Sequence, residues 1–79
     1  MKKARPMATT TIDAHGAQTV SRAVRALQIV AAQAPEGVRL VDVARELALQ
    51  RPTAHRLLKA LTIEGLLQQD DRSRRYTLG

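Results

Sequence analysis

Three backbone signals cut residues 19–79 into short pieces, and they limit the fold more than any other feature of the chain. Pro35-Glu36-Gly37 stops a helix, because proline disfavours helical geometry at the residue before it and glycine follows. Arg51-Pro52 starts one, since a first helical turn has no use for the N–H that proline lacks. Gly65 ends one by accepting the left-handed conformation that closes many helices. Between these marks the apolar residues recur at helical spacing. Val20, Val24, Leu27, Val30 and Ala34 predict a first helix over about 20–33, capped by Thr19 or Ser21, with Ile29 and Ala31 widening its apolar stripe. Val38-Arg39-Leu40 is a short β-prone stretch. A second helix is expected over about 42–48, with Val43, Ala44 and Leu47 on one face and Asp42 in its first turn, where the helix dipole favours an anion. A third is expected over about 51–64. Leu66-Leu67-Gln68-Gln69 and Arg75-Tyr76-Thr77-Leu78 then flank Asp70-Asp71-Arg72-Ser73-Arg74 as two short strands around a polar turn.

The order helix, short strand, helix, turn, helix, hairpin is that of a winged helix-turn-helix. The expected fold class is therefore mainly α with a small β-hairpin, three helices plus a wing. Residues 1–18 read differently. Pro6, Thr9-Thr10-Thr11 and Gly16 interrupt a stretch without apolar period, so residues 1–18 are expected to be a flexible basic arm preceding a domain over 19–79.

Composition excludes several functions. At 79 residues the chain holds one small domain, and 44% hydrophobic with 25% charged residues is globular composition. Tyr76 is its single aromatic residue, too few for the stacking platforms of sheets that bind single strands or RNA. Without cysteine there is no disulfide framework, thiolate zinc site or thiol nucleophile. The two histidines, His15 and His55, lie in different segments without a carboxylate at ligand spacing, and no Gly-rich phosphate loop or nucleophile–base set occurs. No catalytic residue, metal site or cofactor site is therefore expected, and the chain does not read as an enzyme. No apolar run approaches a membrane span, and the basic start lacks the apolar region of a secretory signal, so no membrane partner and a cytoplasmic location are expected.

The charge points to a polyanion. Thirteen Lys and Arg against seven Asp and Glu leave +6. Lys2, Lys3 and Arg5 against Asp13 account for +2, so the remaining +4 belongs to residues 19–79. In the third helix, with Pro52 at zero and 100° per residue, Leu57, Leu61, Ala54 and Leu58 fall between about 140° and 240°. Arg56, Lys59 and His55 fall on the opposite side, which carries no carboxylate near its centre. Ala44 is the small residue needed where the two helices of the motif meet, and Val43, Leu47, Leu49, Ala54 and Leu57 hold the pair together. Ala48 stands where a turn of this kind often has glycine.

These residues carry a family resemblance. Ser21-Arg22-Ala23-Val24 with Leu27, Leu40-Val41-Asp42-Val43-Ala44-Arg45-Glu46-Leu47, Arg51-Pro52-Thr53-Ala54-His55-Arg56-Leu57-Leu58, Leu61, Glu64-Gly65-Leu66 and Tyr76-Thr77-Leu78-Gly79 resemble the N-terminal DNA-binding domain of IclR-family bacterial transcriptional regulators. The resemblance covers residues 20–79, about three quarters of the chain. Thr-x-His-Arg-Leu-Leu with the closing Tyr-x-Leu-Gly is specific to this family rather than to winged helices at large. Ala48 for the turn glycine and Val41 for a capping Ser or Thr depart from the pattern. The resemblance implies binding to a double-stranded DNA operator as a homodimer, and a small-molecule effector bound through a C-terminal domain not present in these residues.

In such a domain the third helix lies in the major groove. Arg51, Thr53, His55 and Arg56 occupy its first turn and a half, with Arg56 placed for guanine or for phosphate. Thr53 suits phosphate, and Lys59, one turn further on, suits phosphate too. Wing residues 70–75 bring Arg72, Arg74 and Arg75 to flanking backbone or minor groove, unless Asp70-Asp71 hold one of them away. Arg22, Arg25 and Arg39 read as solvated or interfacial. The rival is a winged helix used for protein interaction or dimerisation without specific DNA binding; an RNA reading has charge alone in its favour.

Overall fold

The computed structural model describes residues 10–79 as three helices and a two-stranded sheet: α1 (Thr10–Ala32), α2 (Leu40–Leu47), α3 (Arg51–Ile63), β1 (Leu67–Gln69) and β2 (Tyr76–Leu78). The strands pair antiparallel, with Leu67 opposite Leu78, Gln68 opposite Thr77 and Gln69 opposite Tyr76. Val38 bridges the other edge of β2: it donates to the Tyr76 carbonyl at 3.0 Å and accepts from the Tyr76 N–H at 2.7 Å. The β-prone stretch after α1 thus supplies one residue of pairing and moors the wing to the helices.

The core is small and almost purely aliphatic. Ala26 and Val30 from α1, Val43, Ala44 and Leu47 from α2, and Ala54, Leu58 and Leu61 from α3 are buried, together with Val38, Leu67 and Tyr76. Ala44 and Ala54 let the helix-turn-helix pair approach closely, as its spacing requires. Helices α3 and α2 end by the same device. The Leu66 N–H bonds the Leu61 carbonyl and the Gly65 N–H that of Thr62, with Gly65 at φ +83°, a Schellman closure of α3. The same pattern closes α2, where Leu49 donates to Ala44 at 2.9 Å and Ala48 to Arg45 at 3.2 Å. Here the left-handed residue is Ala48, at φ 55°, so its Cβ occupies the place that glycine would leave empty.

Three expectations need correction. Helix α1 begins at Thr10, so residues 10–18, expected to belong to an arm, are helical, and Thr19 and Ser21 are interior rather than capping. Ala14, Ala17 and Gln18 favour helix, and no proline occurs between residues 7 and 34 to stop it. Residues 1–9, with Lys2, Lys3 and Arg5, lie outside the described residues. Second, the buried face of α1 is rotated by roughly 70° from the predicted stripe. Ala26 and Val30 form it, flanked by Ala23, Leu27 and Ile29, whereas Val20 is 62% and Val24 45% exposed. Apolar period marks a stripe but not which edge of it finds a partner. Third, α2 starts at Leu40 with Arg39 as its N-cap, so Val41 is already helical and its lack of a capping hydroxyl is immaterial.

Candidate nucleic-acid interface

Helix α3 presents the expected cationic face. Ala54, Leu58 and Leu61 fix its inner side in the core, and Arg51, His55, Arg56 and Lys59 project from the outer side, all exposed. Among the described residues the one ion pair is Arg45 with Asp42, 2.7 Å apart on α2, so none of the α3 cations is neutralised by a carboxylate. Thr53 is half-buried in the first turn beside Pro52. Gln50 caps the helix through its backbone carbonyl, which accepts from Ala54 N–H at 3.0 Å. Thr62 turns inward along the helix and donates its hydroxyl to the Leu58 carbonyl at 2.8 Å.

A shallow groove separates α3 from the wing. His55, Lys59 and Thr62 line one wall and Gln69 and Tyr76 the other, so the wing root stands directly beside the cationic helix face. The wing turn itself is tightly bonded. The Asp70 N–H donates to the Arg75 carbonyl at 2.9 Å, and the Arg74 N–H to the Asp70 carbonyl at 2.8 Å. The Asp70 carboxylate accepts from the N–H groups of Ser73 at 2.7 Å and Arg72 at 3.0 Å. Those bonds, that of Ser73 first, hold the Asp70 carboxyl below its usual value of 3.8.

The structure brings six of the seven predicted site residues, Arg51, His55, Arg56, Lys59, Arg72 and Arg74, into exposed positions on α3 and the wing turn; Thr53 is the half-buried seventh. Two expectations about the wing change. Asp70 holds backbone rather than an arginine side chain, which leaves Arg72 and Arg74 without an acidic partner among the described residues. Arg75 is half-buried and donates through its guanidinium to the Gly37 carbonyl at 3.2 Å, so it ties the wing to the α1–α2 loop. Sequence reasoning also missed Gln69, whose side-chain amide donates to the Arg74 carbonyl at 3.0 Å. A glutamine at a strand end carries no signal of such a bond.

Fold and face together define a winged helix-turn-helix domain, and the comparisons specify which kind. The family model for the IclR helix-turn-helix domain matches residues 19–71. The chain is 39% identical over 66 residues to the Glycerol operon regulatory protein of Streptomyces coelicolor, covering 84% of this chain and 26% of that protein. It is 34% identical over 62 residues to the HTH-type transcriptional regulator XynR of Escherichia coli, covering 78% and 24% respectively. Among solved structures it is similar to an IclR transcriptional regulator from Alicyclobacillus acidocaldarius, with TM-score 0.71 and 31% identity over 78% of this chain and 25% of that one. The chain belongs to the IclR helix-turn-helix family. It spans about a quarter of the length of these relatives, which are regulators by name and not enzymes. Among the described residues no helix is long and apolar enough to cross a membrane.

Proposed function

We propose that this domain binds double-stranded DNA sequence-specifically as part of an IclR-type transcriptional regulator. One observation carries the reading: Arg51, His55, Arg56 and Lys59 stand exposed on one face of α3, with no carboxylate ion pair among the described residues, and the wing that carries Arg72 and Arg74 is rooted beside that face. A rigid helix of this width enters the major groove, and phosphates on either side reward the flanking cations. In this reading Arg56 and His55 face base edges, Arg51, Thr53 and Lys59 fix the helix on phosphate, and the wing lies on flanking backbone or minor groove. The exposed ridge of Val20 and Val24 on α1 supports pairing with a second copy, which would set two recognition helices about 34 Å apart on successive half-sites. Effector recognition and a cytoplasmic location belong to the same proposal, the effector being bound outside these 79 residues.

Titration on duplex DNA across a fourfold salt range tests it. With about three phosphates neutralised per subunit, a dimer releases about six counterions' worth of charge, and log K should fall against log salt with a slope near −5. A slope near zero would reject DNA and favour a protein-interaction module. Selection of bound sequences from random duplexes would supply the operator, and a repeat or two-fold pattern in it is expected for a dimer.

A further inference from the structure

We infer that Asp70 and Gln69 are positioning residues for the wing cations, acting on the DNA contact proposed above through the backbone of the turn. An aspartate at the edge of a surface that meets a polyanion should oppose binding, since its charge lies within about one Debye length, roughly 10 Å, of the cations beside it. Its geometry offsets that effect. Every polar group of Asp70 is engaged within the turn: its N–H with Arg75, its carbonyl with Arg74 and its carboxylate with Arg72 and Ser73. A carboxylate that bonds N–H groups two and three residues ahead mimics a backbone turn and defines the path of the chain.

Arg74 shows why such a brace is needed. It sits at φ 64°, in the left-handed region that a side chain with a Cβ rarely adopts, and glycine would be the unstrained occupant. Its N–H bonds the Asp70 main-chain carbonyl at 2.8 Å and its carbonyl accepts from the Gln69 amide at 3.0 Å, so both flanking peptide groups are fixed, while the Asp70 carboxylate holds the two residues before it. The Ser73 hydroxyl adds a bond from the Arg75 N–H at 3.2 Å. Gln69 also lines the groove opposite His55 and Lys59, so the brace stands at the seam between recognition helix and wing. The Asp70 carboxylate accepts from backbone amides and pairs with no arginine among the described residues, so the arginine side chains remain available.

The test sets this role against simple electrostatics, which predict the opposite sign. The 79-residue chain and its variants are titrated on a duplex selected by the unsubstituted chain, alone and with Arg72→Ala and Arg74→Ala together. Asp70→Ala should weaken binding about 3–10-fold, the scale of losing one phosphate contact per protomer, although it removes a negative charge. Asp70→Asn, whose amide oxygen accepts the same N–H groups, should bind as well as the unsubstituted chain or better. Gln69→Ala should follow Asp70→Ala with a smaller loss. In the background without Arg72 and Arg74, Asp70→Ala should no longer weaken binding, and the base-preference profile should be unchanged in every variant. Tighter binding of Asp70→Ala in both backgrounds would overturn the inference and leave Asp70 a repelling charge. Equal weakening in both would overturn it too and make Asp70 a support of the whole fold. Absence of specific duplex binding by the unsubstituted chain would overturn the DNA reading itself, and this inference with it.

Discussion

Helix α3 and the wing present exposed basic side chains by opposite means. Helix α3 aims Arg51, His55, Arg56 and Lys59 by burying its other side, where Ala54 and Leu58 are fully excluded from solvent and Leu61 nearly so. Apolar burial of that kind is insensitive to salt and to protons. The wing turn carrying Arg72 and Arg74 is held by exposed hydrogen bonds accepted by one carboxylate and donated by one side-chain amide, on strands of three residues each. Such bonds contribute about 1 kcal/mol each and compete with water. Under the proposed DNA reading, base discrimination would belong on the first kind of support, and a site that only adds charge would tolerate the second.

Leu58→Ala should produce the largest effect, because Leu58 is fully buried beneath the cationic face. A loss of about 2–5 kcal/mol is expected, visible in thermal or urea unfolding, and in so small a domain it should abolish DNA binding altogether. Retention of full stability would show that α3 does not depend on its core side. Arg56→Ala should leave stability nearly unchanged, weaken binding by about 1–3 kcal/mol and relax preference at one base position. An unaltered preference profile would remove Arg56 from base recognition. Arg74→Ala should instead weaken binding about equally on all sequences and reduce the salt slope by about one per protomer.

Ala48→Gly sharpens the comparison from the helix side. Ala48 holds φ 55° in the turn that sets α3 against α2, and glycine there should stabilise the domain by about 0.5–1 kcal/mol while leaving base preference intact. A loss of stability in denaturant melts would mean that the alanine methyl makes a contact worth more than the strain. The smallest effect separates the wing by pH. The Asp70 carboxyl is held below 3.8 in the folded chain, so its contribution is complete above the unfolded-state value and disappears as pH falls through the lower folded-state one. Protection of the Ser73 amide, taken as its exchange rate relative to the intrinsic rate at each pH, should therefore persist from neutral pH down past 3.8 and be lost only below it. Loss of protection already at mildly acidic pH would exclude the carboxylate as the brace.

Local chemistry was enough for much of this domain. Pro52 and Gly65 bound α3 at Arg51–Ile63 within one residue of the expected limits, because a missing N–H and a missing Cβ act on the backbone wherever they stand. The hairpin and the cationic face of α3 followed from strand spacing and from a 3.6-residue period, both properties of neighbouring residues. Tertiary structure decided what those patterns leave open. It buried Ala26 and left Val20 and Val24 exposed, since a stripe does not encode which of its edges meets another element. It placed Ala48 in a left-handed turn because the packing of α2 on α3 demands the bend whatever residue occupies it. It also joined residues far apart in the chain, Val38 to Tyr76 and Arg75 to Gly37, and turned the Asp70 carboxylate toward amides instead of arginines. Backbone preference travels with the residue, whereas the choice among polar partners depends on which groups the folded chain brings within about 3 Å of one another.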